Sequence, residues 1–188
     1  MSSVASPFGL RPCYHPSGCE RAREYSILAA YATPIYKNSP VALVSNRINL
    51  ATAGADWLGS FDGVTYTDIN NKPNLSNFWP GATTGATNII AWVWDDPLQV
   101  FEIQSAGSIA QALSVGNHAN FDASIGSGST ATGLSTAACS ATLAGTGVQG
   151  SMRIVDVGQQ PENAWGDAFT IIQVTNARHQ YVANKVAV

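Results

Sequence analysis

The chain has 188 residues, a formal net charge of −3 and only 11% charged residues, where ordinary soluble domains have about 25%. The length fits one domain with a sizeable core, and no apolar run approaches the roughly 18 residues that a membrane-spanning helix needs. The cations are scattered along the sequence, which argues against the concentrated basic face that nucleic-acid binding requires.

Residues 1–24 are predicted to form an extended N-terminal arm. Three prolines interrupt any helix, and each favours extended geometry in the residue before it. Phe8 and Leu10 are apolar side chains in a segment too broken to bury them locally. They therefore need a partner surface, either the rest of this chain or a neighbouring molecule. The opening residues lack a basic start followed by an apolar stretch, so we expect no secretory signal peptide and synthesis in the cytoplasm.

From residue 25 onward, short runs rich in Val, Ile, Thr and aromatic residues alternate with Gly, Pro, Asn and Asp, a pattern typical of strands. The predicted strands are residues 25–31, 40–44, 86–94, 98–104, 152–157, 169–175 and 181–188. One short helix is predicted over residues 108–115, with Gly116 as its C-terminal cap. We therefore predict an all-β fold, a mainly antiparallel sandwich of jelly-roll type with at most one or two short helices, formed by residues 25–188 as a single domain.

Two regions between the predicted strands have distinct compositions. Asp95, Asp96 and Pro97 predict a tight turn, since proline presets its dihedral angle and aspartates favour turns. In residues 126–150, 20 of 25 are Gly, Ser, Thr or Ala, too few bulky groups for a core of their own. This stretch is either a flexible loop or a pair of thin strands that lie against something larger.

No constellation in the sequence predicts catalysis or a cofactor. The glycines at 145–150 fit the dinucleotide pattern G-x-G-x-x-G, but a strand-like run follows them where that mechanism needs a helix. Cys13, His15 and Cys19 lie close together, but their spacing is unusual for zinc and no fourth ligand is evident. Asp95 and Asp96 are interpreted as turn formers rather than as a catalytic pair. We expect no enzyme activity, no metal, no cofactor and no small-molecule substrate.

The low charge predicts a protein that works in an assembly. An isolated soluble domain usually covers itself with Lys and Glu, whereas neutral polar groups are buried against another protein at lower desolvation cost. A plain low-charge domain is the alternative. The five tryptophans leave a carbohydrate-binding module open as a second alternative, which would require exposed coplanar aromatic rings.

Several sequence blocks, taken in order, resemble a family of tailed-phage capsid cement or decoration proteins, often described as structural proteins encoded near the major capsid protein. The first block is Pro7, Phe8, Gly9, Leu10, Arg11 and Pro12. Later blocks lie at residues 24–27, 32–37, 40–41, 59–68, 78–81, 95–104, 132–135, 153–154 and 162–167. Cys13 and Cys19 depart from the family pattern, and residues 177–179 fit it loosely.

The resemblance implies a non-enzymatic virion protein on the outer capsid surface. Such a protein binds the major capsid protein, bridges its subunits and stabilises the shell against the pressure of packaged DNA. It also binds itself, as a homotrimer in preference to a homodimer. We expect residues 7–12 to bind coat protein or a neighbouring subunit through Phe8 and Leu10, with Arg11 making charge-assisted bonds. A minor head or tail component of the virion is the remaining alternative.

Overall fold

The computed structural model describes residues 3–83, 85–111, 114–145 and 147–182, and the regular secondary structure of those residues is almost wholly antiparallel strand. In those residues the strands are β1 (Arg11–Tyr14), β2 (Arg23–Tyr25), β3 (Ile35–Tyr36), β4 (Pro40–Val44), β5 (Arg47–Leu50), β6 (Gly59–Thr67), β7 (Pro73–Ser76), β8 (Phe78–Trp79), β9 (Thr87–Trp94), β10 (Val100–Gln104), β11 (His118–Phe121), β12 (Cys139–Leu143), β13 (Met152–Val157) and β14 (Ile171–Asn176). A short 3-10 helix covers Ala123–Gly126, and no helix in the described ranges is long and apolar enough to cross a membrane. The predicted all-β class is confirmed.

The strands form two large sheets and one small one. The first sheet has the order β1-β10-β14-β13-β11-β12, and the second has the order β2-β9-β6-β4-β5, with β7 also paired to β6. Strands β3 and β8 make a separate two-stranded sheet. Every strand pair in these sheets is antiparallel.

The second sheet buries a different core on each of its faces. Because successive side chains of a strand point to opposite faces, Val41 of β4 enters one core and Ala42 enters the other. The core on Ala42's side lies between the two large sheets and contains Leu10, Trp57, Phe101, Phe121, Met152, Ile154, Ile172 and Val174. The core on Val41's side lies between the second sheet and the small sheet and contains Ile27, Ile35, Ile48, Leu58, Phe61, Val64, Trp79 and Val93.

Strand β6 is the longest strand, and the sequence pattern does not predict it. Its register against β9 shifts between Phe61 and Gly63, so Phe61 and Val64, three positions apart, reach the same core. A Cβ atom at Gly59 would lie 2.0 Å from the Trp94 carbonyl oxygen, so glycine is required for this close approach of two strands. Gly63 at the register shift and Gly59 at the close approach to β9 interrupt the alternating apolar pattern by which a strand is identified in a sequence.

Five predicted strands are confirmed with small changes in their ends. Residues 40–44 and 152–157 are strands with the predicted bounds, residues 86–94 and 98–104 contain β9 and β10, and residues 169–175 overlap all of β14 except Asn176. The turn at residues 95–98 is also present, since the Gln99 N–H donates to the Asp96 carbonyl at 3.1 Å. Strong β-branched and aromatic runs with turn residues at their ends are therefore enough to locate these elements.

Two predicted strands and the predicted helix need correction. In residues 25–31 only Tyr25 belongs to a strand. The chain then leaves the second sheet and buries Ile27 in the core between that sheet and the small sheet. Tyr181 and Val182 form a turn, and residues 183–188 of the predicted last strand lie outside the described residues. Residues 108–110 are not helical, Gln111 has 3-10 geometry, residues 112–113 lie outside the described ranges, and residues 114–116 form a turn. Gly116 does have a positive φ of 82°.

Most of the segment at 126–150 is packed on the domain. Strand β12 forms the edge of the first sheet, and Leu134 bridges to Lys37. A Cβ atom at Gly128 would lie 2.2 Å from the ring of Tyr36. Small side chains therefore let this backbone approach the larger residues closely, which matches the thin-strand alternative for β12 and not the flexible loop.

Candidate functional site

The N-terminal segment at residues 7–12, predicted to bind a partner, is packed against its own chain. The Leu10 side chain is fully buried between the two large sheets. Its N–H donates to the Asn38 carbonyl at 2.7 Å, and its carbonyl accepts from Ser60 Oγ at 2.6 Å. Leu10 is therefore not available to another molecule, which corrects that part of the prediction. The physical reason is that β1 begins at Arg11 and pairs with β10, which brings the preceding residue to the core.

Gly9 has a local structural role in this segment. Its φ is +77°, and a Cβ atom there would lie 2.4 Å from the Asn38 carbonyl oxygen. The side-chain amide of Asn38 also donates to the Phe8 carbonyl at 3.1 Å. Because a larger residue would be both strained and in collision, glycine allows the segment to turn into the domain.

Arg11 makes its charge-assisted bond within the chain. Its Nη2 donates to Glu102 Oε2 at 2.5 Å, and its guanidinium carbon lies 4.7 Å from the centroid of the Phe8 ring. Burial opposes ionisation of Glu102, but hydrogen bonds from Arg11 and Gln160, together with the charge of Arg11, outweigh burial and lower the pKa of this carboxyl. The Arg11 side chain is 48% exposed and Phe8 is half-buried, so these two residues form the outward side of the segment.

The three cysteines lie in different environments: Cys13 is half-buried, Cys19 is exposed and Cys139 is buried. Burial, followed by the charge of Glu102, raises the pKa of the Cys13 thiol to about 11. Burial raises the pKa of the Cys139 thiol to about 12, while Cys19 is exposed. Within the described residues, no group of three or more His, Cys, Asp or Glu side chains could hold a metal ion.

The glycine pattern at 145–150 leads into strand β13 and not into a helix, and residue 146 lies outside the described ranges. The Gly150 N–H donates to His118 Nδ1 at 3.2 Å, so the stretch is attached to the first sheet. Burial, with the nearby charge of Arg153, lowers the pKa of His118. The backbone at Gly150 is therefore hydrogen-bonded to the imidazole of His118, and no helix N-terminus faces the described glycines.

A cavity of about 510 Å³ lies beside the turn at residues 95–98 and combines several charged groups. It is lined by His15, Ser17, Cys19, Arg21, Arg23, Asp95, Asp96, Pro97 and Tyr181. A second cavity of about 350 Å³ lies on the other side of Pro97 and is lined by Leu98, Gln149, Asn176, Ala177, His179 and Val182 as well. The first cavity is therefore lined by charged groups of both signs, and the second by neutral polar and apolar side chains.

Asp95 is buried and connects residues 23–25 with residues 179–181. Arg23 Nη1 donates to its Oδ2 at 3.0 Å, and the Tyr25 hydroxyl donates to the same oxygen. The Tyr25 and Tyr181 hydroxyls are 3.1 Å apart, and His179 Nε2 lies 2.9 Å from the Asp95 carbonyl oxygen. Burial, followed by the bond to Asp95, raises the pKa of Tyr25 well above its usual value. This network attaches the segment around Tyr181 to the second sheet.

Asp96 stays near the surface and caps the turn. Its Oδ1 accepts from the Leu98 N–H at 2.8 Å and lies 3.0 Å from His15 Nε2. Burial opposes its ionisation, but these two contacts outweigh it and lower its pKa. The predicted role of Asp96 as a turn former is confirmed by these bonds. The sequence did not predict the buried hydrogen bonds of Asp95, because its partners Tyr25 and Arg23 lie 70 and 72 residues away.

The tryptophans do not form the exposed platform that a carbohydrate-binding module would use. Trp57 and Trp79 are fully buried, and Trp92, Trp94 and Trp165 are half-buried. The exposed large aromatic residues among those described are Tyr14 and Tyr181. The aromatic residues are used mainly for the cores, which removes the sequence observation that favoured sugar binding.

No family model, curated protein or solved structure matches the chain.

Proposed function

We propose that the chain is a structural protein of a tailed-phage virion that binds the outer capsid surface as a homo-oligomer and bridges subunits of the major capsid protein. The bridging would stabilise the shell against the pressure of packaged DNA. An oligomer that touches several coat subunits gains about 10²–10⁴ in avidity over one contact, because the later contacts are effectively intramolecular. The role is mechanical and uses no catalytic group.

The scarcity of free charge on the surface is the observation that carries this proposal. The sequence has nine Lys and Arg residues, and four of them form side-chain ion pairs inside the chain: Arg11, Arg23, Lys37 and Arg178. Many large apolar side chains are exposed, among them Leu28, Val44, Ile69, Leu75, Leu98 and Val182. A surface with little unpaired charge and many apolar groups favours burial against other proteins.

The resemblance to cement proteins supports the choice of partner, and its blocks meet in space. The Arg11–Glu102 ion pair joins the first block to the block at 95–104. Ser60, in the block at 59–68, donates to the carbonyl of Leu10. The residues that carry the resemblance therefore hold the domain together, as expected for a protein whose shared feature is its fold and not a reactive site.

Binding to assembled capsids tests the proposal. Capsids of the same virus, made from its coat protein, would be incubated with the purified chain and separated on a gradient, and the bound copies counted. Many copies per particle and a higher force or temperature for DNA release support the proposal. A few copies per particle indicate the minor head or tail component, and no binding overturns the proposal.

The N-terminal segment is tested with a substitution and not with a deletion, because deletion would also remove buried Leu10. Phe8→Ala is expected to weaken capsid binding without a large loss of stability, since Phe8 is half-buried on the outer side. Leu28→Ala, which changes another exposed apolar residue, is the matched control. Capsid binding by Phe8→Ala as tight as that of the wild type would show that the segment has only a structural role.

A further inference from the structure

Residues 3–7 lie on the outer face of the first sheet and are attached there by one side chain. Because Ile103 of β10 enters the core between the large sheets, the adjacent Gln104 points to the opposite face. There the Ser6 N–H donates to Gln104 Oε1 at 2.8 Å, and Gln104 Nε2 donates to the Val4 carbonyl at 3.0 Å. Gln104 thus offers the backbone one acceptor and one donor, as a neighbouring strand would. We call residues 3–7 the strap.

The attachment of the strap depends on Gln104. Residues 3–6 are exposed, and the two bonds to Gln104 are the hydrogen bonds that the strap makes with the rest of the chain, as far as the structure describes it. The residues after the strap are fixed separately, since Asn38 donates to the Phe8 carbonyl at 3.1 Å and accepts from the Leu10 N–H at 2.7 Å. The strap can therefore detach without disturbing the residues to which it is joined.

The strap also forms one side of a cavity of about 330 Å³. Ala5 and Pro7 line this cavity from the strap, and Gln104 lines it from the end of β10. Ala138, just before β12, lines the same cavity and is only 5% exposed. Detachment of the strap removes two lining residues, so the position of the strap determines how far solvent and small molecules reach into the cavity.

We propose that the strap is a movable cover of this cavity and that the Gln104 amide is its latch. Gln104 is 2% exposed while the strap is in place. When the strap leaves, water replaces both hydrogen bonds of the amide, so opening leaves no buried polar group unpaired. Two neutral hydrogen bonds favour the closed strap by a net factor of about 10–100. Open and closed forms therefore exchange, with the cavity accessible in a minor fraction of the molecules.

Hydrogen exchange at single amides of the purified full chain tests the latch. Gln104→Leu removes both bonds at a similar side-chain size, so exchange at Ser6 is expected to become about 10- to 100-fold faster, while the Leu10 amide stays protected and reports an intact fold. Gln180→Leu is the matched control, because the Gln180 amide makes the same pair of bonds, at 2.6 and 3.0 Å, with the Leu43 backbone. Equal exchange at Ser6 in Gln104→Leu and the wild type overturns the latch.

Labelling of a thiol inside the cavity tests the cover. Ala138→Cys is combined with Cys19→Ser, which removes the exposed native thiol. Cys13 and Cys139 react slowly because their raised pKa values keep them as thiols. Deletion of residues 2–7 is expected to speed labelling at position 138 by about 10- to 100-fold, the factor by which the latch favours the closed strap.

The deletion keeps Phe8 and the buried Leu10, so it removes the cover without removing a residue of the core. Labelling at position 138 that is equally fast with and without the strap overturns the proposal. Neither experiment contains a capsid, so their failure leaves the proposed capsid binding in place.

Discussion

Replacing Leu10 with alanine distinguishes a structural N-terminal segment from a free arm. The Leu10 side chain is completely buried in the core, with a relative solvent exposure of 0%. Leu10→Ala removes three carbons there, one methine and two methyl groups, and leaves a cavity between the two large sheets. An arm that docked only on a partner would lose nothing in the isolated chain when this residue is shortened.

The expected cost is large for a single substitution. Buried Leu→Ala changes destabilise proteins by about 2–5 kcal/mol, and we expect about 3 kcal/mol at this site. For chains of this size each kcal/mol lowers the midpoint of thermal unfolding by about 2–4 °C, so the predicted decrease is about 6–12 °C. With a denaturant slope of about 2 kcal/mol per molar, the urea midpoint should fall by about 1.5 M.

The assay is urea and thermal unfolding of the isolated chain at one fixed protein concentration. Val4→Ala is the control, because Val4 lies just before the segment in the same predicted arm but is 57% exposed, and its effect should stay within about 0.5 kcal/mol. If Leu10→Ala and Val4→Ala unfold at the same midpoint, the segment is not part of the core and the structural reasoning fails.

Three further predictions concern packing and pH. Gly128→Ala should destabilise the chain by about 1–3 kcal/mol, because the added Cβ would collide with the Tyr36 ring. Gly145→Ala is the control and should change the unfolding midpoint little, because a Cβ at Gly145 would lie 4.0 Å from its nearest neighbour. Equal midpoints for the two variants would contradict the packing of this stretch. Glu102→Gln should cost about 1 kcal/mol at neutral pH, discounted because its arginine partner is half exposed. The lowered pKa of Glu102 means that this stabilisation is present above pH 4.5 and is lost as pH falls through the folded-state pKa, so urea midpoints of variant and wild type should converge in acid; a constant difference would refute the ion pair. The lowered pKa of His118 means that stability is lost as pH falls from about 6.5 towards the folded-state value, and His118→Gln should flatten this part of the pH profile; an unchanged slope would assign the loss to another group.

The local sequence determined where most of the strong strands and the turn at Asp96 lie. Strands β4 and β13 follow from runs of β-branched and apolar residues bounded by turn formers, and such preferences act within a few neighbouring residues. The same reasoning identified the small-residue segment as one that depends on a larger surface. The sequence pattern did not identify β6, because Gly59 and Gly63 interrupt the alternation of apolar and polar residues in that strand.

The tertiary structure alone decided what the N-terminal segment and Asp95 contact. Arg11 pairs with Glu102 across 91 positions of sequence, and Leu10 is buried by residues from both large sheets. The sequence left Leu10 with two possible partners, its own chain or a neighbour, because an apolar side chain specifies burial without specifying the surface that buries it. Which surface lies within reach depends on the pairing of β1 with β10, and that pairing exists only once the sheets have formed.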